Sequence, residues 1–319
     1  MKEISQQDGG ASAARGKEGE NRVIFYRQAI SHPEVMSHFL GVEENMYAPY
    51  LIHVKDGEGL SVLDVGYRVA AEGTNTYYTG TSDAYFSVLP RNCRLDVLPT
   101  NQYVIDHSDF IDEALRGVRE VRLLGGEDPI VTKRHTSSAA DAEMAKEFGG
   151  FNEMRDIIED WVLSRILSRP EIFPYLTCRG MELLLIHLTG VPPGDVPRHH
   201  WPAKGSKDFV YHPVRCILPS GIDVELPEEM QVSSYHHLGY SFKVLRPYLS
   251  QLTQAGWLPA YIDATEGVPD EDRAIEMMLR FQGATLTGIA SQWHIERQAN
   301  KDGEICREWV DEVLEAWCS

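Results

Sequence analysis

Three short stretches of the chain carry residue types that could perform acyl chemistry together. The first, EIFPYLTCRGMELLLIHLTG (171–190), sets a single cysteine, Cys178, between an apolar run and an almost wholly apolar helical pattern. A nucleophile on a sharp strand-to-helix turn is lifted out of its sheet and aimed into a cleft. There Cys178 would sit at a helix N-terminus, where unpaired amides and the helix dipole favour the reactive thiolate. A free cysteine is as commonly a small buried hydrophobe, and the local pattern alone leaves both readings open.

The second stretch, GIASQWHIERQ (288–298), offers a base and its orienting acid. If GIASQWH continues as a strand, His294 and Glu296 are two residues apart and share a face. Glu296 could then hold one imidazole nitrogen and leave the other for a thiol. Such a pair on an exposed strand is often merely solvated. The third stretch, LLGGEDP (123–129), places Gly125 and Gly126 after an apolar strand. Glycines let backbone N–H groups approach an oxyanion closely, or they simply make a turn.

These residues need a scaffold, and the periodicity supplies one. REVRLLGG (119–126), IFPYLT (172–177), VRCILPSGIDVELP (214–227), MQVSSYHH (230–237), WLPAYIDA (257–264), RAIEMMLRF (273–281) and TLTGIASQ (285–292) read as strands. MRDIIEDWVLSRILSRP (154–170) reads as an amphipathic helix stopped by Pro170, and GEICREWVDEVLEAW (303–317) as the last helix. The alternation suggests α/β layers. RVIFYRQAI (23–31) and LSVLDVGYRVA (60–70) are further strand candidates. Between about 71 and 118 the pattern blurs into an insertion, a lid or a loop-rich flap. Its Tyr77, Tyr78, Tyr85 and Phe86 could line a pocket, although aromatics at that spacing more often pack a small core.

Taken in order, five blocks resemble the class I glutamine amidotransferase-like superfamily, within it the peptidase C26 branch of γ-glutamyl-γ-aminobutyrate hydrolases. They are Gly125-Gly126-Glu127-Asp128-Pro129, Arg155-Asp156, Cys178-Arg179-Gly180-Met181-Glu182, Val232-Ser233-Ser234-Tyr235-His236-His237 and Gln292-Trp293-His294-Ile295-Glu296. The match spans roughly residues 119 to 300. The resemblance implies a flavodoxin-like three-layer sandwich with a mostly parallel central sheet and a nucleophile elbow. It implies a Cys178–His294–Glu296 triad, an oxyanion hole from the amides of Gly126 and Arg179, and substrate contacts from Gly125, Ser234, Tyr235, His236 and His237. It further implies cleavage of a γ-glutamyl amide through a thioester, with no metal or organic cofactor. Leu176, Glu182, Ser233, Leu238 and Ile295 depart from the family pattern, and none of them is a triad member.

One alternative keeps the chemistry and makes the chain a glutaminase component that passes ammonia to a synthetase. The chain has neither G-x-x-x-x-G-K-[ST] nor G-x-G-x-x-G, so that synthetase would be a separate partner. The other alternative is a catalytically silent relative used for binding or assembly. Apolar sheet edges would also allow a homodimer.

Composition narrows the partners. With 48 acidic against 30 basic side chains in 319 residues, the formal charge of -18 repels nucleic-acid phosphates and anionic lipid surfaces. Five cysteines without a C-x-x-C pair suit reduced thiols in a cytoplasmic setting, and no stretch is apolar enough to span a membrane. Residues 1–22 read as a flexible polar tail ahead of one domain over 23–319. His199, His200, His212, His236 and His237 could in principle ligate zinc, but adjacent histidines on a strand point to opposite faces. A small-molecule γ-glutamyl substrate is the expected ligand.

Overall fold

Apolar runs bounded by turn residues become the middle of one sheet. The computed structural model describes residues 24–25, 39–43, 51–70, 77–90, 92–126, 129, 153–196, 210–222, 224–234, 236, 238–298 and 300–318. The expected tail 1–22 and most of the expected strand 23–31 lie outside these. In chain order the strands are β1 (Ile24–Phe25), β2 (Phe39–Glu43), β3 (Ile52–Lys55), β4 (Ser61–Val65), β5 (Tyr67–Ala70), β6 (Tyr77–Ser82), β7 (Arg94–Leu98) and β8 (Glu120–Leu123). There follow β9 (Phe173–Thr177), β10 (Gly194–Asp195), β11 (Val210–Cys216), β12 (Glu229–Ser234), β13 (Leu238–Gly239), β14 (Trp257–Asp263), β15 (Ile275–Gln282) and β16 (Thr285–Ser291).

Among the described residues the main sheet has the order β12-β11-β14-β15-β16-β9-β8-β4-β7-β3. Its heart, β7-β4-β8-β9-β16, is parallel throughout. Numbered among themselves along the chain, these five strands run 2-1-3-4-5, the flavodoxin-like order. The flank from β16 through β15, β14 and β11 to β12 is antiparallel, as is the β3 edge. A separate antiparallel sheet, β1-β2-β6-β5, stands beside it.

Strands buried on both faces read as continuous apolar segments, and β8 and β9 are buried at every position. Alternation still sorts their side chains. On β9, Leu176 joins a core with Leu63, Val121, Ile158, Val162 and Leu184, under the helices Glu153–Ile166 and Arg179–Thr189. Phe173 and Tyr175 face the opposite core with Ile289, Trp309, Val310 and Leu314, under the helix Lys301–Cys318. Helix, sheet and helix thus form the expected three-layer α/β sandwich.

Within the blurred segment, β7 enters the main sheet between β4 and β3. The short helices Gln102–Asp106 and Phe110–Ala114 bury Val104 and Ile111 in the first core. The 3-10 turn Asp83–Val88 instead lies against the turn Ile295–Arg297 and so reaches the candidate site.

Candidate active site

Parallel strands deliver their C-terminal ends to one edge of the sheet, where open α/β folds bind ligands. Three of those ends matter here. Gly125 and Gly126 follow β8, Cys178 follows β9, and His294 lies three residues beyond the end of β16.

Cys178 caps the helix Arg179–Thr189 and has φ +51° and ψ −106°. Among the described residues it alone has positive φ without being glycine. A side chain in that region costs of order 1–3 kcal/mol and persists only when the surroundings impose it. Here they do. The Cys178 N–H donates to Ser291 O at 2.6 Å, the Glu182 N–H donates to Cys178 O at 3.1 Å, and Thr177 is in parallel register with Ser291. Gly180 lets the helix start close to β8, because a Cβ there would fall 2.3 Å from Leu123 O. The thiol-bearing residue is buried, at 7% exposure.

His294 and Glu296 meet, but not along a strand. β16 stops at Ser291 and the pair spans the 3-10 turn Ile295–Arg297, which curls the carboxylate back onto the ring. His294 Nδ1 and Glu296 Oε1 are 2.6 Å apart, and both residues are buried. With Nδ1 engaged by a carboxylate, the neutral ring carries its proton there and presents Nε2 as the base. That edge of the ring faces the glycine loop: a Cβ on Gly125 would lie 2.4 Å from His294 Cε1 and 2.9 Å from Nε2.

The loop is held from several sides. The Gly125 N–H donates to the Tyr85 hydroxyl at 3.0 Å, and Arg155 Nη2 donates to Leu124 O at 2.9 Å and Gly125 O at 3.3 Å. Gly126 has φ +147°, a conformation that favours glycine. Ser87 Oγ donates to Glu296 O at 3.3 Å, so the 3-10 turn Asp83–Val88 supports both the loop and the triad turn. Burial and the neighbouring Glu296 carboxylate push the Tyr175 phenol well above its ordinary range, which keeps it neutral behind the site.

Arg179 uses its side chain to brace the elbow. Its Nε donates to Glu159 Oε2 at 2.8 Å and its Nη2 pairs with Asp156. Gln292 donates from Nε2 to Glu182 Oε1 at 2.9 Å and Leu238 O at 3.3 Å, and the same nitrogen lies 3.9 Å from Cys178 Sγ.

The expected substrate contacts divide. Gly125 lies at the site, as just described. Tyr235 and His237 fall outside the described residues, and so do His199 and His200. Ser234 ends β12, in register with Val210. His236 is buried with its Nε2 3.4 Å from Glu276 Oε1, and His212 Nε2 is 3.5 Å from that same oxygen. Among the described residues no group of three His, Cys, Asp or Glu side chains is arranged to hold a metal ion.

Sequence patterns do not single out Tyr85, Glu159, Gln292 or Glu276 as supports of the site. Only Glu159 left a local signal, standing four residues after Arg155 on one helix face.

The chain matches no protein-family profile. It matches no curated protein either. Its backbone is similar to a proposed GMP synthase glutaminase-type chain from Thermoplasma acidophilum, at 14% identity over 81% of this chain and 96% of that one, with a TM-score of 0.45. It is also similar to the CTPS glutaminase domain of Trypanosoma brucei with bound acivicin, at 13% identity over 81% and 93%, with a TM-score of 0.49. A glutamine amidotransferase from Thermotoga maritima is similar at 13% identity over 82% and 99%, with a TM-score of 0.44. No helix among the described residues is long and apolar enough to cross a membrane.

Proposed function

We propose that the chain is a cysteine hydrolase of class I glutamine amidotransferase type that cleaves a γ-glutamyl amide. The observation that carries this reading is the alignment at one sheet edge of three features. These are a buried cysteine held at positive φ, a histidine whose Nδ1 is engaged by Glu296, and a glycine loop against that histidine's Nε2 edge.

In this reading His294 accepts the Cys178 thiol proton and the thiolate attacks the γ-carbonyl carbon. The S–C bond forms as the carbonyl π pair moves onto oxygen, where the Gly126 and Arg179 amides receive it. Collapse expels the amine, protonated by His294, and leaves a γ-glutamyl thioester. Water, deprotonated by His294, then attacks the thioester, releasing glutamate and returning the thiol. His236, together with Ser234, Tyr235 and His237, would contribute to the pocket for the rest of the substrate.

The test is glutamate release from glutamine and a panel of γ-glutamyl amines, comparing the wild type with Cys178→Ala. Release that depends on Cys178, with a γ-glutamyl amine preferred to glutamine, is the expected result. Release from glutamine alone, and only on addition of a synthetase partner, would replace this reading with the amidotransferase component. A wild type that is acylated by no substrate would leave a binding role.

A further inference from the structure

An oxyanion hole built from two backbone amides works only if the amides are held in fixed relation before the charge develops. In this chain the two proposed donors belong to different segments, Gly126 after β8 and Arg179 at the head of the elbow helix. One carboxylate joins them. Glu159 Oε1 accepts from Arg155 Nε at 2.8 Å, and Glu159 Oε2 accepts from Arg179 Nε at 2.8 Å. Arg155 in turn donates to Leu124 O and Gly125 O, while the Arg179 backbone is itself the second donor segment.

The geometry has a direct consequence for the peptide between Gly125 and Gly126. In a trans peptide the C=O and N–H point in opposite directions. Holding Gly125 O toward Arg155 therefore turns the Gly126 N–H away from the helix Glu153–Ile166. The Tyr85 hydroxyl takes the preceding N–H, of Gly125, so rotation of the loop would break contacts on two sides. Arg155, Glu159 and Arg179 are all essentially inaccessible to solvent, and water cannot loosen the bridge by competing for its bonds.

We propose that Glu159 is a positioning residue: its two carboxylate oxygens clamp Arg155 and Arg179 and thereby set the spacing of the two oxyanion donors. This rests on the acyl-transfer reading above but not on the identity of the acyl group.

The test separates the hole from the nucleophile. With p-nitrophenyl acetate, the Cys178 thiolate attacks the ester carbonyl, a C–S bond forms and p-nitrophenolate leaves with its electron pair, passing through an oxyanion. With iodoacetamide, the same thiolate displaces iodide at a saturated carbon and no oxyanion forms. Both rates are followed on the full chain by mass spectrometry of Cys178, for the wild type, Glu159→Gln and Arg155→Lys.

Each variant should lower acetylation about 10- to 100-fold, in line with losing or misplacing one oxyanion donor. Alkylation should stay within about twofold. Unchanged acetylation in a folded variant would overturn the clamp, and so would a parallel fall in both rates, which marks general damage. A wild-type ratio of acetylation to alkylation no higher than that of glutathione would overturn it too. Glutamate release is read in parallel. A wild type that is acetylated on Cys178 in excess of glutathione, yet releases no glutamate from any γ-glutamyl compound, would sink the substrate reading and leave the clamp standing.

Discussion

Gly125→Ala tests the placement of His294 with a single methyl group. Gly125 is absent from the positive-φ glycines, so its backbone accepts alanine and the effect is purely steric. The new Cβ would lie 2.4 Å from His294 Cε1, against an ordinary contact of 3.4 Å or more, so the ring must retreat by about 1 Å. The ring is buried and tied by Nδ1 to Glu296 at 2.6 Å, so it cannot swing aside without stretching that bond. A displacement of about 1 Å costs on the order of 10²-fold in rate, equivalent to about 3 kcal/mol of barrier. Overpacking should cost a further 1–3 kcal/mol or so of stability. The assay is Cys178-dependent glutamate release, with thermal unfolding by circular dichroism as the check on folding. A folded variant whose kcat lies within about threefold of the wild type would refute the inferred position of the imidazole.

Three further outcomes follow from the same geometry. Glu296→Gln can present an N–H to His294 Nδ1 and favour the tautomer with its proton on Nε2, so kcat should fall by about 10²- to 10⁴-fold while iodoacetamide still labels Cys178. A pH profile of that variant unchanged from the wild type would argue against the pairing. Glu120 is wholly buried on β8, and burial pushes its carboxyl up to about 8, with Asp64 and Asp311 adding to the rise and Arg122 opposing it. A raised carboxyl contributes stability that is present below pH 4.5 and lost as pH rises through about 8, on the order of 5 kcal/mol across that window. Glu120→Gln should therefore flatten the decline of Tm between pH 5 and 9, and parallel curves for the two proteins would contradict it. Gly180→Ala drives a Cβ to 2.3 Å from the Leu123 carbonyl oxygen, a backbone atom that cannot turn away. Unfolding in urea should show a loss of at least about 1–3 kcal/mol, and an unchanged midpoint would mean that the elbow is looser than described.

The sequence by itself determined the pieces whose logic is local. β8, β9, the elbow helix and the last helix are legible because apolar periodicity records which face of each element is buried, whatever lies across from it. Cys178 at the head of its helix follows from one strand, one turn and one helix in succession, and the His294–Glu296 pair follows from a spacing of two. Even so, the chain delivers that pair by a 3-10 turn rather than a strand, because β16 stops pairing at Ser291.

Only the tertiary structure decided what joins these pieces. β7 sits between β4 and β3 in the main sheet, though its segment showed no clear strand period. Tyr85 supports Gly125 across forty residues of chain, Glu159 connects two arginines whose partners lie on other segments, and Glu276 stands between His212 and His236 from separate segments. The physical reason is that a hydrogen bond constrains positions in space, and positions in space are set by sheet order and register. Periodicity fixes which face is buried, but it carries no term for what a distant segment will place against that face.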